Sequence, residues 1–204
     1  EIAQCLVGSE MCIRDSPYGV YLYSYAETDD EASDEAQHVL RLLQGHTPQL
    51  PVYLDLEDSV ISSNCSAADI LRHTTIFCNT IQAAGYRAGV YANRNWWTTL
   101  LTDAAYDQWE RWIAVWADQT NYNKPYQMWQ YSSKGQISGI SGSVDCNFWY
   151  TNTKISGSTT TVGSTGTVPD SNPTPETAST ALTAPHVTNA AVNYRMACLL
   201  YTSD

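Results

Sequence analysis

The stretch Val52-Tyr53-Leu54-Asp55-Leu56-Glu57 reads as a buried strand that delivers two carboxylates at its end. Uncharged, β-forming residues run directly into Asp-x-Glu. Strand residues two apart point to the same face. Asp55 and Glu57 therefore stand ~6.5–7 Å apart at their backbones with both side chains aimed one way. Two acids held that close raise each other's pKa, so one can keep a proton while the other stays ionised. Such a pair is suited to cutting a glycosidic bond. The same pattern also suits a carboxylate pair facing water on an edge strand, and Asp-x-Glu alone does not separate the two readings.

Outward from this stretch the pattern is strand, helix, strand, helix, strand. Tyr18 to Ala26 alternates as a strand, with Tyr21, Tyr23 and Tyr25 on one face. Asp29 to Leu43 reads as a helix, acidic in its first turns, with Ala32, Ala36, Val39, Leu40 and Leu43 as its apolar stripe. Gly45 closes it and Pro48 follows. The acid-bearing strand occupies Pro51 to Leu56. Ser66 to Asp69 is a capping start for a helix that runs through Ile70, Phe77 and Ile81 to Gly85. Gly89 to Ala92 is a strand and Arg94 to Leu101 a short helix. Strands follow at Arg111–Ala117, Gln127–Tyr131 and Val144–Tyr150. This order predicts an α/β protein, an irregular (β/α) barrel of the TIM-like type whose second half lacks clear helices. Active residues of such barrels sit at the C-terminal ends of strands, where Asp55 and Glu57 lie.

Composition narrows the partners. The 204 residues carry a net charge of -11 with only ten Lys and Arg, which disfavours nucleic acid. Seven Trp and fourteen Tyr stand against two Phe. Tyr and Trp join an apolar face to a polar rim and suit sugars as well as they fill cores. No apolar run approaches the ~20 residues that span a bilayer, so no membrane association is expected, and the N-terminus shows no signal peptide. The six cysteines match no zinc spacing and suggest no disulfide framework. His38, His46, His73 and His186 show no metal spacing and read as surface residues. No metal or cofactor is expected.

Both ends read as foreign. Met11 to Ser16 can be encoded by DNA whose reverse complement, in another frame, encodes the run Cys198 to Thr202. Leu6–Ser16 and Cys198–Asp204 also resemble translated sequencing adapters. The expected organisation is a non-native segment at 1–16, a catalytic barrel at 17–152, a disordered Ser/Thr/Gly/Pro linker at 153–185, the start of a truncated wall-binding module at 186–197, and a second non-native segment at 198–204.

Four segments carry a family resemblance: PYGVYLYSYA (17–26), LPVYLDLED (50–58), GVYANRNWW (89–97) and MWQYSSKGQISGISGSVDCNFW (128–149). Together they resemble glycoside hydrolase family 25, the peptidoglycan muramidases. The last segment, with Trp-Gln-Tyr and Val-Asp-x-Asn, is the most specific. The resemblance implies Glu57 as general acid at the bond after N-acetylmuramic acid. It implies Asp55 as stabiliser of an oxocarbenium-like state, or as the group that orients the substrate's acetamido for attack. Asp145 matches a third family acid that orients or activates water or tunes the pair, and a turn-forming Asp at a strand start fits it nearly as well. A larger aliphatic residue usually stands where this chain has Cys146.

Tyr23, Tyr25, Tyr91, Trp116, Trp129 and Gln130 are candidates for lining the glycan groove, with core packing the even alternative for each aromatic. Gln130 is the sharper candidate, because an uncharged polar residue inside Met-Trp-Gln-Tyr needs a partner. The resemblance implies a monomer acting on peptidoglycan glycan strands, outside the cell or in its wall. The family begins with a strand carrying Asp-Val-Ser, which nothing upstream of Pro17 matches. The barrel is therefore expected to lack its first strands and to leave a strand edge open. The expected activity belongs to the full-length parent, and this chain is expected to fold poorly and to be weakly active or inactive. Two other readings stand beside this one: a wall-glycan-binding protein without chemistry, and a related hydrolase of chitin-like chains.

Overall fold

The computed structural model describes residues 18–136, 141–150 and the backbone of strand Arg195–Leu199. The elements in chain order are β1 (Tyr18–Tyr23), α1 (Asp29–Leu42), β2 (Val52–Asp55), α2 (Ser59–Asn64), α3 (Ala67–Ala83), β3 (Ala88–Asn93), α4 (Arg94–Thr99), a 3-10 turn (Ala104–Gln108), β4 (Glu110–Ala114), β5 (Met128–Gly135), β6 (Val144–Trp149) and β7 (Arg195–Leu199). They form one curled sheet of order β6-β5-β4-β3-β2-β1-β7.

Local chemistry starts the long helices. Thr28 and Glu31 close a capping box on α1, and Ser66 and Asp69 close another on α3. Each hydroxyl takes an orphan N–H of the first turn while the acid reaches back to the cap. Gly85, at φ 90°, ends α3 in the left-handed region that a residue with a Cβ adopts only under strain. α2 and the 3-10 turn were not expected from the sequence.

Alternation then sorts the side chains of the sheet. Val20, Leu22, Val52, Leu54, Val90 and Ile113 face the helices and pack against Ala36, Val39, Phe77, Ile81 and Trp97. The other face carries Tyr53, Tyr91, Trp112, Ala114 and Met128, with Tyr21 and Trp149 alongside. It is an aromatic floor in which Trp112 meets Tyr91 edge-on at 4.7 Å and Tyr53 at 5.2 Å. Below it Glu110 is buried, accepts a hydrogen bond from the Tyr53 hydroxyl and pairs with Arg87.

Gly89 makes that floor possible. A Cβ there would lie 2.4 Å from Tyr53 Cε1 and 2.9 Å from the Glu110 carbonyl oxygen. Tyr53 is fully buried, so neither neighbour can yield. Gly89→Ala is expected to destabilise the fold by about 3 kcal/mol through overpacking. Urea denaturation checks this, and a midpoint equal to that of the unmutated chain contradicts it.

Two departures from the expected barrel have physical causes. β1 through β5 pair in parallel, but β6 runs antiparallel to β5. The connection over 136–143 is too short for the dozen or more residues a parallel crossover needs. The edge of β1, expected to be open, pairs in parallel with β7, as unpaired strand groups favour. Among the described residues no pairing joins β6 to β7, so the sheet is not closed. The segments at 1–16 and 153–185 lie outside the described residues. Of 186–204 only β7 is described, and it straddles the boundary drawn at 197.

The histidines need one correction. His46 is exposed and His38 half-buried, but His73 is buried with Nε2 3.2 Å from Asp29 Oδ1. Burial lowers its pKa. It sits on the face that α3 turns toward the start of α1. His186 lies outside the described residues.

Candidate active site

The carboxyl ends of the parallel strands lie side by side at one end of the sheet. The register sets Tyr23 beside Asp55, Asp55 beside Tyr91, Tyr91 beside Trp112, Ala114 beside Gln130, and Gln130 beside Asn147. β2 lies between β1 and β3, and its end is tied on both sides. Ser24 N–H donates to the Asp55 carbonyl at 3.0 Å, and Leu56 N–H donates to the Tyr91 carbonyl at 2.9 Å. Leu56 is buried in the helix-side core, so alternation carries past the strand end.

The three candidate acids differ in depth. Asp55 is 5 % exposed, and among the described residues its Oδ1 has no hydrogen-bond partner. Glu57 and Asp145 are exposed at the rim. Burial pushes the Asp55 carboxyl up to about 8, helped by the charges of Glu57 and Asp145. Burial and Asp145 also raise Glu57, and burial raises Asp145. The free site thus holds a proton most firmly at Asp55. Glu57, like Asp145, is in reach of a ligand, and a sugar covering it would raise it further by excluding water.

Around the acids the structure brings together Tyr23, Tyr25, Tyr91, Trp116 and Gln130. The Tyr23 hydroxyl donates to Asp58 Oδ2 at 3.3 Å, and burial with the charges of Asp58, Glu57 and Asp55 raises its pKa. Tyr25 is 54 % exposed, its ring 5.0 Å from that of Tyr23. Trp116, 65 % exposed, stands at the far side beyond β4.

Gln130, 4 % exposed, accepts through Oε1 from the Tyr91 hydroxyl at 3.2 Å and from Trp116 Nε1 at 2.9 Å. An indole N–H only donates, so the Gln130 oxygen is turned toward it and the amide NH₂ is left as a donor. Asn147 repeats the arrangement, its Oδ1 accepting from Trp112 Nε1 at 2.9 Å.

Trp129 is placed elsewhere. It precedes Gln130 in β5 and so points to the opposite face, where its ring packs in the helix-side core, 5.7 Å from Phe148. The sequence reading gave no role to Trp112, Asn147 or Asp58, although Asn147 is the last residue of the quoted Val-Asp-x-Asn. It also missed Glu35, a buried carboxylate of α1. Glu35 Oε1 accepts the Tyr25 N–H at 2.8 Å, Oε2 accepts the Ser24 hydroxyl at 2.8 Å, and burial pushes its carboxyl up to about 7. Among the described residues no cluster of His, Cys, Asp and Glu could hold a metal ion.

Acids and aromatic side chains gathered at the carboxyl ends of a curled, mostly parallel sheet stand where α/β barrel enzymes carry their active sites. A sequence profile of glycosyl hydrolases family 25 matches residues 13–140, well over half of the chain. The chain belongs to that family. Solved structures agree. The modular autolysin LytC from Streptococcus pneumoniae is 29 % identical with a TM-score of 0.60, the match covering 66 % of this chain and 34 % of LytC. The spore cortex lytic enzyme SleM from Clostridium perfringens shares the fold at 19 % identity and a TM-score of 0.57, over 65 % of this chain and 49 % of SleM. GHIP, a glycosyl hydrolase 25 of Streptococcus pneumoniae, does so at 21 % and 0.55, over 64 % and 58 %. The chain thus spans about a third of the length of LytC. No curated protein matches it in a sequence comparison.

Proposed function

We propose that this chain carries the acid-bearing part of a peptidoglycan muramidase, which hydrolyses the β-1,4 bond between N-acetylmuramic acid and N-acetylglucosamine. The observation that carries the reading is the gathering of Asp55, Glu57 and Asp145, close enough that Glu57 and Asp145 raise Asp55 and Asp145 raises Glu57. Support comes from LytC, whose structure is also known in complex with a synthetic peptidoglycan ligand, 28 % identical to this chain.

Glu57 protonates the leaving oxygen, since of the two acids of Asp-x-Glu it is the exposed one, just past the end of β2, with its carboxyl raised by burial and by Asp145. Asp55, deep on the same strand, stabilises the oxocarbenium-like state or orients the acetamido group. Asp145 orients water or tunes the pair. Tyr23, Tyr25, Tyr91, Trp116 and Gln130 line the glycan groove, the aromatic faces stacking on sugar rings. The parent completes a TIM-like barrel around this cleft and acts as a monomer on wall glycan outside the cell.

Product analysis tests the reading. Digestion of purified peptidoglycan is expected to create new reducing muramic acid ends. Reducing glucosamine ends, or cleavage of chitin oligosaccharides with peptidoglycan left intact, would overturn it in favour of another glycosidase. Binding without any new ends would leave a wall-binding protein.

A further inference from the structure

Beyond the end of β1 the chain leaves the sheet, yet every backbone N–H from Ser24 to Thr28 has an acceptor. Ser24 donates to the Asp55 carbonyl at 3.0 Å. Tyr25 donates to Glu35 Oε1 at 2.8 Å, and Ala26 to Ser24 Oγ at 3.3 Å. Glu27 and Thr28 both donate to Glu31 Oε2, at 2.8 and 3.0 Å. Two carboxylates of α1 therefore do for this turn what a neighbouring strand does for β1.

Glu35 is the inner of the two. It is 1 % exposed, and its second oxygen holds the Ser24 hydroxyl, which in turn holds Ala26. A carboxylate is seldom buried without a task. Its hydrogen bonds to Tyr25 N–H and the Ser24 hydroxyl both go to this turn, not to another charged group. The turn carries Tyr25, more than half exposed and packed on Tyr23, which is bonded to Asp58 beside the acid pair. The Tyr25 N–H is held by this helix carboxylate and not by a strand of the sheet.

We propose that Glu35 is a positioning residue for the glycan cleft: through the Tyr25 N–H and the Ser24 hydroxyl it sets the Tyr23–Tyr25 aromatic wall in the orientation that receives a sugar ring. The proposal rests on the reading of Tyr23 and Tyr25 as glycan-lining groups. Glu35 touches no substrate and takes no part in proton transfer. It acts on binding, because preorganising a contact surface removes the ordering cost that binding would otherwise carry.

The test uses the 204-residue chain, purified peptidoglycan sacculi as probe, and cosedimentation as the measure of affinity, with melting curves as the control for folding. Tyr25→Ala is expected to weaken binding about tenfold through the lost stacking surface. Glu35→Ala is expected to weaken it about fivefold. Glu35→Gln, whose amide oxygen still accepts the Tyr25 N–H, is expected to stay within about twofold of the unmutated chain. The double variant Tyr25→Ala with Glu35→Ala is expected to bind no more weakly than Tyr25→Ala alone, since coupled residues are not additive.

If Tyr25→Ala weakens binding while a folded Glu35→Ala does not, or if the double variant shows the full product of the two losses, the positioning role is overturned. If Tyr25→Ala leaves binding unchanged, the glycan-lining reading itself falls and takes the proposal with it. Should Glu35→Ala fail to fold, Ser24→Ala replaces it. That variant loses the hydroxyl that links Glu35 to Ala26 and is expected to weaken binding about threefold, and unchanged binding overturns the proposal.

Discussion

Glu57→Gln is expected to lower the release of reducing ends from peptidoglycan about 10³-fold, the range a lost general acid accounts for, while binding to sacculi persists. The amide keeps the size and polarity of the side chain but has no proton to give. Glu57 is exposed and has charged Asp145 as a neighbour, so the substitution removes a repulsion and leaves packing untouched. The melting temperature should therefore hold or rise slightly. Cosedimentation and reducing-end assays on the same preparation separate the two effects. Hydrolysis within tenfold of the unmutated chain would remove Glu57 from the acid role.

Asp55→Asn is expected to move stability and activity in opposite directions. The Asp55 carboxyl has an ordinary value of 3.8 and is pushed up to about 8 by burial and by two neighbouring acids. Between these values the unfolded chain has lost the proton and the folded chain keeps it. The folded state then binds more protons, and stability falls as pH rises across that window. Above it the folded chain carries a buried, partly unpartnered negative charge. Asn cannot ionise, so the variant should be more stable at pH 8 by about 2–4 kcal/mol, an order-of-magnitude figure from the size of the shift. Near pH 4 the gain should nearly vanish. Urea denaturation at the two pH values reads the difference, and equal effects at both would show that Asp55 is not proton-retentive in the fold. Hydrolysis should drop about 10²-fold or more, because Asp55 can give up its proton during the reaction and carry the charge that stabilises an oxocarbenium-like state, and an amide cannot. A residue whose removal stabilises the fold and disables the chemistry is under selection for function.

What the sequence made legible was whatever rests on local or period-two rules. The capping start at Ser66, the stop at Gly85 and the direction of Asp55 depend on a few adjacent residues, and each stands as expected. α2 has six residues with only Ile61 buried, too few for a 3.6-residue period to show. The antiparallel turn of β6 was readable from the short segment before it, had connection length been weighed against direction. The placement of Trp129 was readable as well, because it is adjacent to Gln130 in one strand and the two cannot line the same face. Glu35 and His73 were not. On a helix wheel each stands beside the apolar stripe, Glu35 by Ala32 and Val39 and His73 by Ile70 and Phe77, so the pattern marks the face but not what a polar residue there would bond. What buries them is the turn after β1 and the contact between α1 and α3, which no local pattern announces. Gln130 was singled out for its need of a partner, but the identity of both partners came only from the sheet register.

The clamping of β2 between β1 and β3 also bears on how this protein can change length. Added residues in the exposed connection after α1, around Gln44 to Gln49, leave the pairing of Val52 to Asp55 with both neighbours untouched. One residue added within Val52 to Leu56 is another matter. It turns Asp55 and Glu57 toward the helices and Leu54 and Leu56 into the cleft, since each step along a strand reverses the face. A lineage of such proteins is therefore free to drift in the size of its loops, while the six positions from Val52 to Glu57 admit substitution but neither insertion nor deletion.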